Sequence, residues 1–432
     1  MTSDLSGAVP SGPNSAVPVL EVEDLTVAFP TDDGEVHAVR GVSYRVQPGE
    51  VLGIVGESGS GKSVTSMAVM GLLPKTARIT GSVRFRGQEL LGLPDKQMRG
   101  VRGQKIAMIF QDPMTSLNPV YKIGFQLAEA VLAHNDVTKA VARKRAVELL
   151  EIVGIPFPEK RIDQYPHEFS GGMRQRIVIA IAMANDPDVI IADEPTTALD
   201  VTIQAQVLEA LRTAQKATGA AMVLITHDLG VVAGQADRVL VMYAGKPVEV
   251  GDVDEIYYRP RMPYTLGLLG SLPRLDRRTQ DKLTPIPGAP PSLISLPPGC
   301  PFTPRCPMAT GVCEESEPPL LAVAGDTHRA ACHYSARLIG VSSDQVFRPT
   351  AADSHLPQEF GADVEGAAAG EVVAQAVVAG EAPLIGDAAA QTAETASPET
   401  GPAQPAESSE PAGAAEAATD TDAATATEGT KE

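Results

Sequence analysis

The stretch that most constrains this chain is Gly56-Glu57-Ser58-Gly59-Ser60-Gly61-Lys62-Ser63. An apolar run, Val51-Leu52-Gly53-Ile54-Val55, leads in and reads as a short buried strand. A helical pattern, Ser66-Met67-Ala68-Val69-Met70, leads out. Strand, glycine loop and helix in that order give G-x-x-x-x-G-K-[ST] its meaning. Glycines let successive backbone N–H groups turn inward as an anion nest, and the helix N-terminus adds a positive dipole end. Lys62 can then reach the β and γ phosphates, and the Ser63 hydroxyl can ligate Mg²⁺. The stretch predicts a nucleotide-phosphate site within an α/β domain, with Thr65 among its contacts.

Length allows two or three domains, and a hydrophobic content of 43% supports a sizeable core. No apolar run reaches a bilayer-spanning length, and the N-terminus lacks the basic and apolar regions of a secretory signal. A cytosolic chain is expected, in which four cysteines are not read as disulfides. The net charge is −19, but residues 350–432 hold 16 of the 54 acidic residues and one of the 35 basic ones. Residues 1–349 therefore carry a net of only −4, with no basic stripe that would advertise nucleic acid.

Residues 1–18 read as a disordered leader. Two alternating runs, Val19 to Phe29 and Val36 to Val46, flank a turn at Asp32-Asp33-Gly34 and predict antiparallel sheet. Phe29, beside that turn, is either a core aromatic or a surface on which adenine stacks. Ile106 to Phe110 predicts another strand, with Gln111 at its end able to reach both Mg²⁺ and an attacking water. Residues 121–165 change to helical periodicity, an inserted helical subdomain. Ser170 then caps a helix whose Gly171 and Gly172 leave open N–H groups, a second anion-binding device. The buried strand Val189 to Ala192 ends in Asp193 and Glu194, placed to hold Mg²⁺ and to polarise a water for in-line attack. His227, at the tip of the strand Ala221 to Ile225, is placed to sense a γ-phosphate.

The order Gly56–Ser63, Ser170-Gly171-Gly172-Met173-Arg174-Gln175, Asp193-Glu194 resembles the ATPase subunit of an ABC transporter over residues 19–335. The resemblance implies a P-loop NTPase of ABC ATPase type. It makes Gly56–Ser63 similar to the Walker A loop, Gln111 to the Q-loop and Ser170-Gly171-Gly172 to the signature. Ile190–Glu194 is then similar to Walker B, Ala198-Leu199-Asp200 to the D-loop and His227 to the switch histidine. Phe29 falls where the family stacks adenine, and Phe169 replaces the more general Leu before the signature. In that family two such domains pair head to tail, each ATP lying between one Walker A and the partner's signature. Phe110 to Pro119, Ala198 to Gln206 and Arg259 to Thr265 resemble the narrower oligopeptide and dipeptide importer group, which includes nickel importers. Implied partners are two transmembrane permeases, a second and different ATPase chain, and an extracytoplasmic binding protein, with this chain on the cytoplasmic membrane face. Residues 112–165 resemble the part that docks on the permeases.

Cys300, Cys306, Cys313 and Cys332 follow a Pro-rich stretch, with five, six and eighteen residues between successive thiols. Such a set reads as metal-binding, and its spacing lacks the paired pattern usual for structural zinc. The resemblance of Gly299 to Pro307 to the peptide-importer extension implies a [4Fe–4S] cluster, with zinc or free thiols as alternatives. The expected domains are an ABC ATPase at 19–256 with its helical part at about 112–180, a cysteine-containing extension at 257–340, and a disordered acidic tail at 341–432. The competing reading is a non-transport ABC ATPase acting on nucleic acid or ribosomes, for which neither a coiled-coil insertion nor a basic surface is evident. A regulatory ATPase without turnover would lack Glu194 or His227, and both are present.

Overall fold

In the computed structural model the described residues are 17–112, 116–197, 199–272, 285–325 and 327–347. The leader up to residue 16, the stretch 113–115, Ala198 of the expected D-loop and the tail from residue 348 lie outside them.

Alternation in the first two runs produces a long hairpin, β1 (Leu20–Thr31) with β2 (Gly34–Val46). With β4 (Arg78–Phe85) and β5 (Gln88–Glu89) it forms a four-stranded antiparallel sheet of order β2-β1-β4-β5. Val22 and Leu25 are three residues apart, so both face inward only because the register shifts between them. Asp24 absorbs the shift at φ 46°, its N–H donating to Ser43 Oγ at 2.8 Å. This is a bulge that re-aims the rest of the strand.

Among the described residues the second sheet has eight strands, in the order β11 (Leu321–Ala324), β12 (His328–Ala330), β10 (Lys246–Asp252), β9 (Arg238–Tyr243), β3 (Val51–Val55), β8 (Ala221–Thr226), β7 (Val189–Asp193), β6 (Ile106–Ile109). Its centre is parallel: β3 (Val51–Val55) lies between β8 (Ala221–Thr226) and β9 (Arg238–Tyr243), and β7 (Val189–Asp193) lies between β8 and β6 (Ile106–Ile109). These strands are almost wholly apolar because both faces are covered, as parallel sheets require. Parallel pairing brings the C-terminal ends of β3, β6, β7 and β8 to one edge, where ligands of open α/β sheets bind.

Helices Ile123–Leu132, Lys139–Ile152 and Gly171–Ala182 supply the inserted helical layer. Ile123, Leu127, Ala146, Leu149, Ile162 and Ile177 share one buried cluster with Ile109, Ile190 and Ala192, so the layer is anchored on the parallel strands. Among the described residues, those that follow residue 245 continue the same sheet. β10 (Lys246–Asp252) turns antiparallel to β9, and β12 (His328–Ala330) and β11 (Leu321–Ala324) extend the same sheet. Glu249 on β10 and His328 on β12, both fully buried, meet at 2.8 Å across that junction.

Candidate functional site

The phosphate loop joins β3 to helix Lys62–Val69, and two of its glycines are required by close backbone approach. A Cβ on Gly56 would lie 2.3 Å from Met242 O, and one on Gly61, at φ 97°, 2.3 Å from Ala38 O. Ser58 and Gly59 form the exposed tip. Ser60 Oγ is buried without a hydrogen-bond partner among the described residues, a polar atom that suits an incoming anion. Lys62 is folded back onto the loop, donating to Gly56 O at 2.8 Å and Glu57 O at 2.9 Å. Burial pushes its pKa down, and the charges of Glu194, Asp193 and Glu57 oppose that.

Ser63 Oγ donates to Asp193 Oδ1 at 2.9 Å, so the two expected Mg²⁺ ligands already touch. Burial pushes the Asp193 carboxyl up to about 6, with the Ser63 hydrogen bond working against it. A divalent cation here would restore the ionised form.

Glu194 turns out of β7 at φ 46°, a conformation costly for a residue with a side chain, and its N–H donates to Ile225 O of β8 at 2.9 Å. Its Oε2 receives Thr197 Oγ1 at 2.8 Å, lies 3.2 Å from His227 Nδ1 and 3.3 Å from Gln111 Nε2; its Oε1 lies 3.9 Å from Lys62 Nζ. Burial alone would raise the pKa of Glu194, but the His227 hydrogen bond, the Lys62 charge and the Thr197 hydroxyl together hold it below the ordinary range. The reciprocal hydrogen bond to Glu194 raises His227. An ionised carboxylate that is oriented by three side chains is suited to positioning a water.

Several expected contacts differ. Gln111 reaches Glu194 with its amide nitrogen, while Ser63 and Asp193 bond each other. Phe29 is 5% exposed and packs inward, in phase with Leu25 and Val27 on β1. The ring belongs to the buried cluster of the antiparallel sheet, which is the core reading of the two that its position allowed. The Thr65 hydroxyl donates to Gly61 O at 2.9 Å inside the helix, where it secures the loop. Asp200 caps helix Val201–Thr218, accepting from Thr202 N and Ile203 N, both at 3.0 Å.

Ser170 caps helix Gly171–Ala182 by accepting from Met173 N at 3.4 Å. Its two glycines are not equivalent. A Cβ on buried Gly172 would meet Ile203 Cγ2 at 2.3 Å, whereas exposed Gly171 has nothing within 4 Å. Gly172 is explained inside the chain, as a close helix–helix contact; Gly171 is not.

The four cysteines converge. Cys300, Cys306, Cys313 and Cys332 line one cavity of about 20 Å³ together with Met262, Phe302 and His333. Cys306 is pushed up to about 12 and Cys332 up to about 11, chiefly by burial, with negative charge on neighbouring thiols acting in the same direction. Backbone N–H groups two residues on, from Phe302, Met308 and Tyr334, oppose the rise at Cys300, Cys306 and Cys332. Among the described residues no group of three or more His, Cys, Asp or Glu is drawn together tightly enough to hold a metal ion.

Three residues near the site were not anticipated. Thr197 orients Glu194; its signal was only its position three residues on. Tyr264 OH accepts the Glu57 N–H at 2.9 Å, and Arg305 grips the Glu57 carboxylate at 2.6 and 2.9 Å. Both lie more than 200 residues away in sequence, beyond the reach of local pattern.

Comparison with known proteins agrees with this geometry. Residues 39–197 match the ABC transporter family, and residues 248–313 match the oligopeptide/dipeptide transporter C-terminal region. The chain is 59% identical over 332 residues to the oligopeptide transport ATP-binding protein OppD of Mycobacterium bovis, which covers 77% of this chain and 54% of that protein. It therefore spans about half the length of that mycobacterial relative. It is 56% identical to OppD of Bacillus subtilis, covering 72% of this chain and 87% of the other, and 51% identical to OppD of Salmonella typhimurium, covering 76% and 97%. The chain belongs to the ABC transporter family, among the oligopeptide and dipeptide transport ATP-binding proteins.

Proposed function

We propose that the chain binds Mg-ATP and hydrolyses it to power import of oligopeptides or dipeptides through membrane permeases. The observation that carries this reading is the convergence of Lys62, Gln111, Thr197 and His227 on Glu194, beside the Ser63–Asp193 pair. On ATP binding, Lys62 leaves the Gly56 and Glu57 carbonyls for the β and γ phosphates. Ser63 and Asp193 would hold Mg²⁺, which would supply charge compensation for the phosphates. Glu194 positions the attacking water, and His227 and Gln111 hold Glu194 until the γ-phosphate engages them. Phosphoryl transfer needs such positioning and charge compensation more than covalent chemistry. Ser170 and Gly171, both exposed, complete the site of a second ATPase subunit, which we take to be a different chain.

Partners follow from the same reading: two permeases, the second ATPase and, through the complex, a solute-binding protein. Among the described residues no helix is long and apolar enough to cross a membrane. Val120, Tyr121 and Phe125 present exposed apolar surface on the helical layer, the two rings stacked at 4.9 Å, which suits docking on a permease at the cytoplasmic membrane face. The cysteine cluster is proposed to hold a [4Fe–4S] centre. Four soft donors line one cavity, and backbone N–H groups at three of them work against the burial that keeps the thiols neutral; a bound metal would have to draw the sulfurs closer and ionise them. Reconstitution with permeases should give peptide uptake that requires ATP, and anaerobically purified protein should carry iron and sulfide. ATP-independent uptake would overturn the first claim, and zinc or metal-free protein the second.

A further inference from the structure

A carboxylate in a loop that must hold a polyphosphate is an electrostatic liability. Glu57 is such a residue, second in the phosphate loop. Its side chain is not left facing the loop's anion nest. Arg305 takes both oxygens in a two-pronged pair, Nη1 to Oε2 at 2.6 Å and Nη2 to Oε1 at 2.9 Å. The guanidinium is 5% exposed on its side chain, so solvent screens the pair weakly. Glu57 is held at its other polar atoms as well: its N–H donates to Tyr264 OH at 2.9 Å and its carbonyl accepts from Lys62 at 2.9 Å.

Arg305 is itself fixed. Its Nε donates to Pro287 O at 2.9 Å and Nη1 to Tyr243 OH at 3.4 Å, and its guanidinium lies about 6 Å from the Tyr243 and Phe302 ring centres. It ends the 3₁₀ turn Thr303–Arg305, between Cys300 and Cys306. That turn is tied to the cysteine segment by Cys300 N to Cys313 O at 2.7 Å and by Thr303 Oγ1 to Cys313 O at 3.1 Å. A continuous chain of contacts thus runs from the cysteines through Arg305 to the phosphate loop.

We infer that Arg305 is a positioning residue for the phosphate loop: it neutralises and anchors Glu57, and so ties nucleotide affinity to the cysteine-bearing turn. The inference rests on the ATPase reading and adds to it a residue that touches neither nucleotide nor metal. Losing the guanidinium leaves a free carboxylate beside the phosphates. Ground state and transition state should suffer alike, because the repulsion acts as soon as ATP is bound and persists through the reaction.

The test is Mg-ATP titration of the full chain, with steady-state hydrolysis by the assembled complex alongside. Arg305→Met should raise Kd and KM for ATP about tenfold while kcat changes less than about twofold. Adding Glu57→Gln to Arg305→Met should bring Kd back to within about threefold of the parent, because the repelling charge is gone. Cys306→Ala should raise Kd by itself and add little in the Arg305→Met background. If Arg305→Met does not fold, Arg305→Lys carries the comparison, expected at about threefold weaker because an ammonium cannot form the two-pronged pair. An unchanged Kd in the arginine variant, or a double variant no better than the single, overturns the role of Arg305; additive effects of Cys306→Ala and Arg305→Met overturn the tie to the cysteines. Failure of the unaltered chain to bind Mg-ATP would instead overturn the ATPase reading.

Discussion

The two glycines that open helix Gly171–Ala182 separate a role inside the chain from a role outside it. Alanine at Gly172 would place a methyl 2.3 Å from Ile203 Cγ2, more than 1 Å inside ordinary contact, so the helix carrying Ile203 must shift. Overpacking of this kind costs about 1–3 kcal/mol. Replacing glycine in a helix recovers up to about 1 kcal/mol, leaving Gly172→Ala less stable by about 1 kcal/mol. Alanine at Gly171 meets nothing within 4 Å, so stability should hold or rise by up to about 0.5 kcal/mol. Urea denaturation reads both. Activity should reverse the order of interest: Gly171→Ala should lose at least about tenfold in hydrolysis by the assembled complex, because a methyl obstructs N–H groups meant for a partner's γ-phosphate. Its affinity for ATP as an isolated chain should be unaltered, since that site is built from Gly56–Ser63. A stable Gly171→Ala protein with full hydrolysis in the complex would refute the reasoning: nothing would then approach this glycine.

Burial holds Asp193 near 6 against an ordinary 3.8, so the folded chain keeps a proton that the unfolded chain releases. Stability without Mg²⁺ should therefore fall as pH rises from about 4 to about 6, by up to about 3 kcal/mol, and stay low above that. Asp193→Asn should be the more stable protein at pH 8 and equal at pH 4 in chelator, though unable to use Mg-ATP; a difference that ignores pH would contradict this. His328→Leu strips the buried partner from Glu249 and should cost about 3 kcal/mol in urea denaturation, partly recovered by adding Glu249→Gln. An unshifted midpoint would mean the pair does not hold β12 to β10.

What the sequence made legible was local. Strand, loop and helix around Gly56–Ser63 follow from consecutive residues, as does the all-apolar β7 that ends in Asp193 and Glu194. Placing Gln111 and His227 at strand ends was enough to bring them to the same edge, because parallel strands share one. Phe29 is in phase with Leu25 and Val27 on the inward face of its strand, so its burial was legible in the alternation. Strands β11 and β12 are four and three residues long, too short to show a period, and they join the sheet only because β10 offers an edge. The grip of Arg305 on Glu57 spans 248 residues, and nothing in either neighbourhood announces the other. Convergence of the cysteines on one cavity likewise depends on the fold of a Pro-rich segment without periodicity.

The central claim is that Glu194, held by Thr197, His227 and Gln111, positions the water that cleaves ATP between two paired subunits. The most direct measurement is hydrolysis and subunit association of Glu194→Gln in the presence of Mg-ATP. The amide keeps the shape and the Thr197 contact but removes the charge. ATP turnover should fall by about 10²-fold or more, with unhydrolysed ATP trapped in a stable paired complex seen by sedimentation. Turnover at the parent rate, or loss of ATP binding altogether, would contradict it.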